Sequence, residues 1–254
     1  MHCRVPRFRN LMFDTRITVV GLAAAGLVGL AWAGQVLGQL PEKLSEELVA
    51  WWTFDAAEGN LIPDMSPGKH SAVIEGEVTL VPGRIGKAAA FDGKSGRLHV
   101  PGFKGIGGSA ARTVAAWIKT STAAGEIVGW GSEEPGRMWA IRFIRGRLGV
   151  TPRGGYLYMN DPIHDGQWHH VAVVLEEGSP ANLHDHAKLY LDGKPAVIHD
   201  IGLLDLWPID TGDSIDVTIG RGWNGLIDDL RIYARALSPE EIAALYQMGH
   251  SRTE

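Results

Sequence analysis

Residues 225–233 carry adjacent carboxylates, Asp228 and Asp229, inside a strand-like run that ends in Arg231, Ile232 and Tyr233. Side chains alternate across a strand, so the spacing places Leu226, Asp228, Leu230 and Ile232 on one face and Ile227, Asp229, Arg231 and Tyr233 on the other. Asp228 then lies on the more apolar face, where an unpaired charge is costly, and it needs a partner. The histidines offer less. His169 and His170 are neighbours at the start of a β-branched run, so their rings point to opposite faces and cannot chelate one ion together. His184-Asp185-His186 supplies imidazoles that suit zinc, but it lies in a polar loop at 178–187 with no evident third or fourth ligand. Glu133-Glu134 runs into Pro135-Gly136, a turn signal, and Glu176-Glu177 closes a strand and splays. There is no Gly-x-Ser-x-Gly and no phosphate-binding glycine loop. The chain is therefore read as not an enzyme.

Aromatic residues are the remaining binding candidates. Exposed tyrosines and tryptophans can stack on sugar rings while offering a polar handle. Trp117 and Trp139 alternate with small residues as a sandwich core requires, whereas Tyr156, Tyr158, Trp207 and Trp223 lie near Gly- and Pro-rich loops and are the candidate ligand-binding residues.

The elements that must position these groups follow from the chain as a whole. Its 254 residues fit one large domain. A net charge of −5 gives no electrostatic footprint for nucleic acid. Residues 1–33 hold Arg4, Arg7, Arg9 and Arg16 against Asp14, so the remainder is more acidic than the whole and suited to a hard cation. Cys3 is the single cysteine, which rules out an intramolecular disulfide. The basic start, the apolar run at 17–30 and Ala31-Trp32-Ala33 follow the order of a signal peptide. The apolar character continues to residue 40, long enough for an uncleaved membrane anchor. Either reading of 1–33 puts the rest of the chain outside the cytoplasm, secreted, periplasmic or anchored through an N-terminal hydrophobic helix.

Residues 34–49 read as a linker whose polar part has room for one helical turn, residues 50–249 as one domain, and 250–254 as a tail. From residue 50 short alternating runs are punctuated by Gly, Pro and Asp about every ten residues, the signature of a sandwich or barrel. Strands are expected at 50–54, 78–81, 88–91, 98–100, 113–119, 126–130, 138–144, 148–150, 168–176, 188–191, 195–198, 215–219 and 226–233. Asp192-Gly193 is a strong hairpin signal, and Arg145-Gly146-Arg147 joins another pair. Ser238, Pro239 and Glu241 mark a capped helix start; Ile242, Leu245 and Tyr246 form its apolar stripe, and Gly249 is expected to stop it.

Several landmarks together resemble one family. They are Trp51-Trp52-Thr53-Phe54-Asp55, Asp64-Met65-Ser66-Pro67-Gly68, Gly86-Lys87-Ala88-Ala89-Ala90-Phe91-Asp92-Gly93 and Val114-Ala115-Ala116-Trp117-Ile118. Gly166-Gln167-Trp168-His169-His170-Val171-Ala172, Leu189-Tyr190-Leu191-Asp192-Gly193-Lys194 and the 225–233 stretch with Ala236-Leu237-Ser238-Pro239-Glu240-Glu241 complete the set. In this order they resemble the laminin G-like, concanavalin A-like jelly-roll domains of secreted bacterial proteins. The resemblance implies an all-β, two-sheet antiparallel jelly-roll sandwich with a short C-terminal helix, usually non-catalytic, with an extracellular glycan or protein as partner. A purely structural domain and a glucanase-like hydrolase are the alternatives it leaves open. Glucanases of this fold alternate two carboxylates on one strand, about 5–5.5 Å apart for a retaining mechanism; no strand here has that spacing. The resemblance also makes Asp55, Asp64 and Asp228 neighbours, a donor set for a structural calcium ion, which takes six to eight oxygen ligands. Lys69 beside the Asp64 turn weighs against the metal. Without it, Asp228 accepts backbone N–H bonds or pairs with an arginine while Asp55 and Asp64 cap turns.

Overall fold

The computed structural model describes residues 1, 42–199 and 207–250. The expected N-terminal hydrophobic helix and the tail at 251–254 lie outside the described residues. In chain order the strands are β1 (Leu48–Trp52), β2 (Leu61–Ile62), β3 (Ala72–Glu75), β4 (Val78–Pro82), β5 (Lys87–Asp92), β6 (Arg97–His99), β7 (Arg112–Lys119), β8 (Glu126–Gly131) and β9 (Met138–Ile144). They continue as β10 (Arg147–Thr151), β11 (Leu157–Met159), β12 (Trp168–Leu175), β13 (Ala187–Leu191), β14 (Lys194–Pro195), β15 (Ile198–His199), β16 (Ile215–Ile219) and β17 (Asn224–Tyr233). The helical segments are α1 (Glu42–Ser45), α2 (Leu183–His186) and α3 (Pro239–His250).

Antiparallel pairing gives two sheets that face each other as a jelly-roll sandwich. One runs β14-β13-β12-β7-β17-β5-β4, and the other runs β15-β11-β10-β9-β8-β16-β6-β3-β2. Strand β17 is long enough to serve two neighbours on one edge: residues 224–227 pair with β5, and residues 230–233 pair with β1. The hairpins form where expected. Asp192 and Gly193 have φ of 50° and 76°, and Arg145 and Gly146 have 50° and 79°, the doubly positive turn that matches strand twist.

Alternation sorts the side chains. Val114, Ala116 and Ile118 of β7 enter the inter-sheet core with Val171, Val173 and Leu175 of β12, and Trp139, Ile141 and Phe143 of β9. The opposite face of the β7–β12–β17 sheet is also covered. There Trp51, Ala115, Ala172, Val174, Tyr190 and Tyr233 pack against Leu44 of α1 and Ile242 and Leu245 of α3. Helix α3 starts as its sequence dictates: the Glu241 N–H donates to Ser238 Oγ at 3.3 Å, and the Ser238 N–H donates to Glu241 Oε2 at 2.8 Å. Gly249 does not stop it, since the helix runs to His250. Gly249 instead lets the helix approach Trp117, where a Cβ would lie 2.2 Å from the indole nitrogen.

Other expectations change as well. Residues 42–49, read as linker, are folded: Leu44 and Leu48 are buried, and Arg235 ties α1 down by donating to the carbonyls of Lys43 and Glu46. The run 195–198 is not one strand. Pro195 ends β14 in one sheet and Ile198 begins β15 in the other. Strands β2, β3 and β11 are not among the expected ones.

The largest change concerns Asp228. Along β17 the pairing with β7 slips between Asp228 and Arg231, and Asp229 sits at φ 50°. This is a β-bulge, which inserts one residue and reverses the alternation beyond it. Ile227, Leu230 and Ile232 therefore share the inter-sheet core. Asp228 lies on the other face, opposite Trp117, rather than with Leu230 and Ile232.

Candidate functional site

The outer face of the nine-stranded sheet holds a concavity. A bulge in β8 between Glu126 and Val128 sends both Ile127 and Val128 into the core and leaves Glu126 and Gly129 outward. Pairing then aligns rows across the strands. Glu126, Arg142, Gly149 and Tyr158 form one row through β8, β9, β10 and β11. Thr151, Ala140, Gly129, Thr218 and His99 form the next. Small residues in the second row lower the floor, and charged groups rise beside it. The result is a cleft of about 690 Å³ lined by Glu126, Arg142, Arg153, Tyr156, Arg221 and their neighbours, within the usual size for ligand sites. A second depression of about 210 Å³ carries Glu75, Arg97 and His99, and Arg221 borders both.

Glu126 is the most constrained group in the cleft. It is 2 % exposed, its Oε2 accepts from the Arg221 guanidinium at 3.0 Å, and its Oε1 has no partner among the described residues. Its carboxylate lies over Gly129, where a Cβ would come within 2.7 Å of Oε1. The Glu126 N–H also donates to the Arg221 carbonyl at 3.0 Å, which fixes the loop before Trp223. At the cleft's far wall Glu133 pairs with Arg153.

Of the aromatic candidates, Tyr156 lines the cleft and stacks on Tyr158 at 5.7 Å, with the Arg145 guanidinium 5.3 Å from its ring centre. Tyr158 is 8 % exposed and serves as a backing plate; Gly149 makes room for it, since a Cβ there would lie 2.6 Å from the tyrosine Cβ. Trp207 is 50 % exposed and rests against Gly154 of the cleft wall, where a Cβ would lie 2.4 Å from its ring. Trp223 is not a surface residue. It is fully buried in the inter-sheet core and stacks on Phe143 at 5.6 Å, because the loop after Gly222 turns its ring inward under β9.

The three aspartates divide. Asp64 is engaged by protein donors: Oδ1 accepts from the Trp51 and Ser66 N–H groups, and Oδ2 accepts from the His70 N–H and the Ser66 hydroxyl, all at 2.7–2.9 Å. It is a turn-capping carboxylate. Asp55 and Asp228 instead approach one turn, 83–87. Asp55 Oδ1 accepts from the Lys87 N–H at 2.9 Å, and Asp228 Oδ2 accepts from the Ile85 N–H at 2.8 Å. Asp228 is 1 % exposed and its Oδ1 has no partner among the described residues. Burial pushes its carboxyl up to about 8, aided by the charges of Asp229 and Asp55 against the backbone N–H bonds it accepts. The donor set left open to a cation is thus Asp55 and Asp228 without Asp64. Among the described residues no three His, Cys, Asp or Glu side chains form a metal-holding group. Asp229 is spent elsewhere, accepting from the Trp51 indole at 2.6 Å and from Arg231 at 3.0 Å.

The histidine pair splits as alternation requires. His169 bridges Asp192 and Asp165 at 3.0 and 3.3 Å. The Asp192 hydrogen bond raises its imidazole above the ordinary range. His170 is buried against Trp117, and burial, helped by Arg231, lowers it to about 3. His184, Asp185 and His186 lie in α2, whose N-terminus Asn182 caps by accepting from the Asp185 N–H at 2.8 Å.

Glu126, Arg142 and Arg221 were not singled out in the sequence. The one signal available was the recurrence of small residues at outward strand positions, Gly129, Ala140 and Gly149, which marks a face left open.

The sequence matches the family model for the concanavalin A-like lectin/glucanases superfamily over residues 92–243. No curated protein matches it in sequence. Among solved structures, the fold is similar to domain 4 of AbnA, a GH43 extracellular arabinanase from Geobacillus stearothermophilus, in complex with arabinotriose. That similarity has a TM-score of 0.61 at 22% identity and covers 79% of this chain and 98% of that one. The binding domain of Paraclostridial Mosquitocidal Protein 1 gives 0.58 at 18% identity over 81% of this chain and 53% of that one. The receptor binding domain of botulinum neurotoxin C/D mosaic serotype gives 0.55 at 14% identity over 80% and 52%. The chain spans about half the length of these two toxin domains. At these identities the likeness is one of fold. Among the described residues no helix is long and apolar enough to cross a membrane.

Proposed function

The chain belongs to the concanavalin A-like lectin/glucanase superfamily, and from that premise we propose that it is an exported, non-catalytic module that binds a glycan in the cleft over β8, β9 and β10. The observation that carries this is the buried Glu126 carboxylate. Its orientation is fixed by Arg221, and its Oε1 is left without a protein partner. A buried acceptor left unsatisfied is costly, and a sugar hydroxyl satisfies it. Tyr156 lines the same cleft and Trp207 rests against its Gly154 wall, aromatic surface for the apolar side of a pyranose or furanose. The solved relative in complex with arabinotriose supports a saccharide over a protein ligand, and the extracellular setting of that relative accords with the basic and apolar N-terminal stretch.

Two carboxylates in one cleft are the observation that favours a hydrolase. Hydrolysis needs one of the pair to donate a proton to the leaving group. Here Glu126 is committed to Arg221 and Glu133 to Arg153, an arrangement for holding rather than cleaving.

Calorimetric titration with saccharides selected from a glycan array tests the reading. Glu126→Gln and Tyr156→Ala should each weaken binding about tenfold or more, the usual cost of losing a charged hydrogen bond or a stacking face. Binding unaffected by both substitutions, or no binding across neutral and acidic glycans, refutes it.

A structural calcium ion belongs to the same proposal, held by Asp55 and Asp228 with carbonyl or water oxygens. It would neutralise a buried carboxylate and fasten the 83–87 turn to β17. Calcium against chelator should raise the melting temperature, since a ligand at about a hundredfold excess over Kd stabilises by about 2.7 kcal/mol. The same shift in Asp228→Ala would remove calcium from this site.

A further inference from the structure

The inference rests on the glycan reading of the cleft and names the class of saccharide. Across the outer face of the nine-stranded sheet, acids and arginines are matched one to one. Glu75 pairs with Arg97 at 2.6 Å, Glu126 with Arg221 at 3.0 Å, and Glu133 with Arg153. Arg142 is left over, as are Arg145 and Arg147 at the β9–β10 turn, but of these three only Arg142 lines the cleft. It is exposed, and no ion pair or hydrogen bond holds its guanidinium among the described residues. Its cross-strand neighbours are Glu126, whose charge is turned to Arg221, and Gly149, which has no side chain. Arg145 adds a second positive charge over the Tyr156 ring. In a chain of net charge −5, the cleft is locally reversed in sign.

An exposed arginine on a convex surface is ordinarily just solvated. Arg142 differs by its place in a concavity, between an unsatisfied acceptor and an aromatic face. A guanidinium presents a rigid fork that matches carboxylate and sulfate oxygens. We propose that the cleft takes an anionic saccharide, with a carboxylate or sulfate on Arg142, a hydroxyl on Glu126 Oε1 and a ring face on Tyr156. Because Arg221 offsets the charge of Glu126, the anion meets no uncompensated negative charge there.

Isothermal titration of the full domain with an oligogalacturonate, its methyl ester and a chondroitin sulfate oligosaccharide tests this, at low and at physiological salt. The expected result is binding of at least one anionic probe, about tenfold tighter than the ester, the scale of one charge-assisted hydrogen bond. That binding weakens with salt. Preference for oligogalacturonate identifies a carboxylate, and preference for the chondroitin probe a sulfate. R142Q should remove the preference, whereas K188Q, which deletes the same charge on β13 of the other sheet, should leave it. Binding of the ester by the wild type as tightly as the better of the two anionic probes overturns the proposal without using any variant, and the glycan reading survives. An R142Q protein that melts like wild type and keeps the preference also overturns it. Failure to bind any saccharide, neutral or anionic, overturns the glycan reading and this proposal together.

Discussion

Replacing Asp228 by asparagine keeps the shape of the side chain and removes its titration. In the folded protein burial pushes the Asp228 carboxyl from 3.8 up to about 8, while in the unfolded chain it returns to the ordinary value. Between those two values the native state holds a proton that the unfolded state has released. Stability contributed by this group is therefore complete below about pH 4 and lost as pH rises through about 8, at about 1.4 kcal/mol per pH unit. Asparagine has no such slope, and its amide can still accept the Ile85 N–H that Asp228 Oδ2 accepts at 2.8 Å. Relative to wild type, Asp228→Asn should gain about 3 kcal/mol between pH 5 and pH 7. Urea unfolding followed by tryptophan fluorescence, in chelator, at several pH values for both proteins measures it. Other titrating groups are common to the two proteins and cancel in the difference. Parallel stability curves would refute the account of Asp228 as a buried, protonated side chain. Saturating calcium, by holding the carboxylate charged, should flatten the wild-type slope and leave the variant unchanged.

Arg112 is fully buried with no carboxylate partner among the described residues, and its guanidinium donates to the carbonyls of Ala110, Ile106, Gly107 and Gly108 and to Thr211 Oγ1 at 2.6–3.3 Å. Arg112→Met strands those carbonyls and should cost about 3–5 kcal/mol in urea unfolding; a loss under 1 kcal/mol would contradict this role. Gly129→Val must displace the Glu126 carboxylate, given the 2.7 Å approach at Cβ, so glycan binding should fall by about tenfold or more while the domain still melts cooperatively. His169 should titrate above its ordinary 6.5 because of Asp192, contributing stability that is complete below that value and fades as pH rises through the raised one. An NMR titration in which Asp192→Asn fails to lower its midpoint would exclude that cause.

Local sequence sufficed wherever the contacts are short-range. The hairpin at Asp192-Gly193, the cap formed by Ser238 and Glu241 and the alternation of β7 and β12 are contacts between near neighbours. Their outcome is fixed by backbone preferences and a two-residue period, so they were legible. Residues 42–49 look like linker in sequence because Leu44 and Leu48 are buried only once α3 and β17 arrive from the other end of the chain.

What sequence alone determined is the class of the protein: short alternating strands, their turns, a capped last helix and the order of landmarks that define the superfamily. The tertiary structure decided the site. A bulge is set by the pairing of one strand with another, so nothing within residues 225–233 could announce that Asp228 leaves the face of Leu230, and nothing in β8 that Glu126 faces outward. Trp223, flanked by Gly222, and Trp207, flanked by Pro208, both adjoin loop-forming residues, yet one ring lies in the core and the other on the surface. That choice depends on which strand lies above each ring, a fact of packing between residues far apart in the chain.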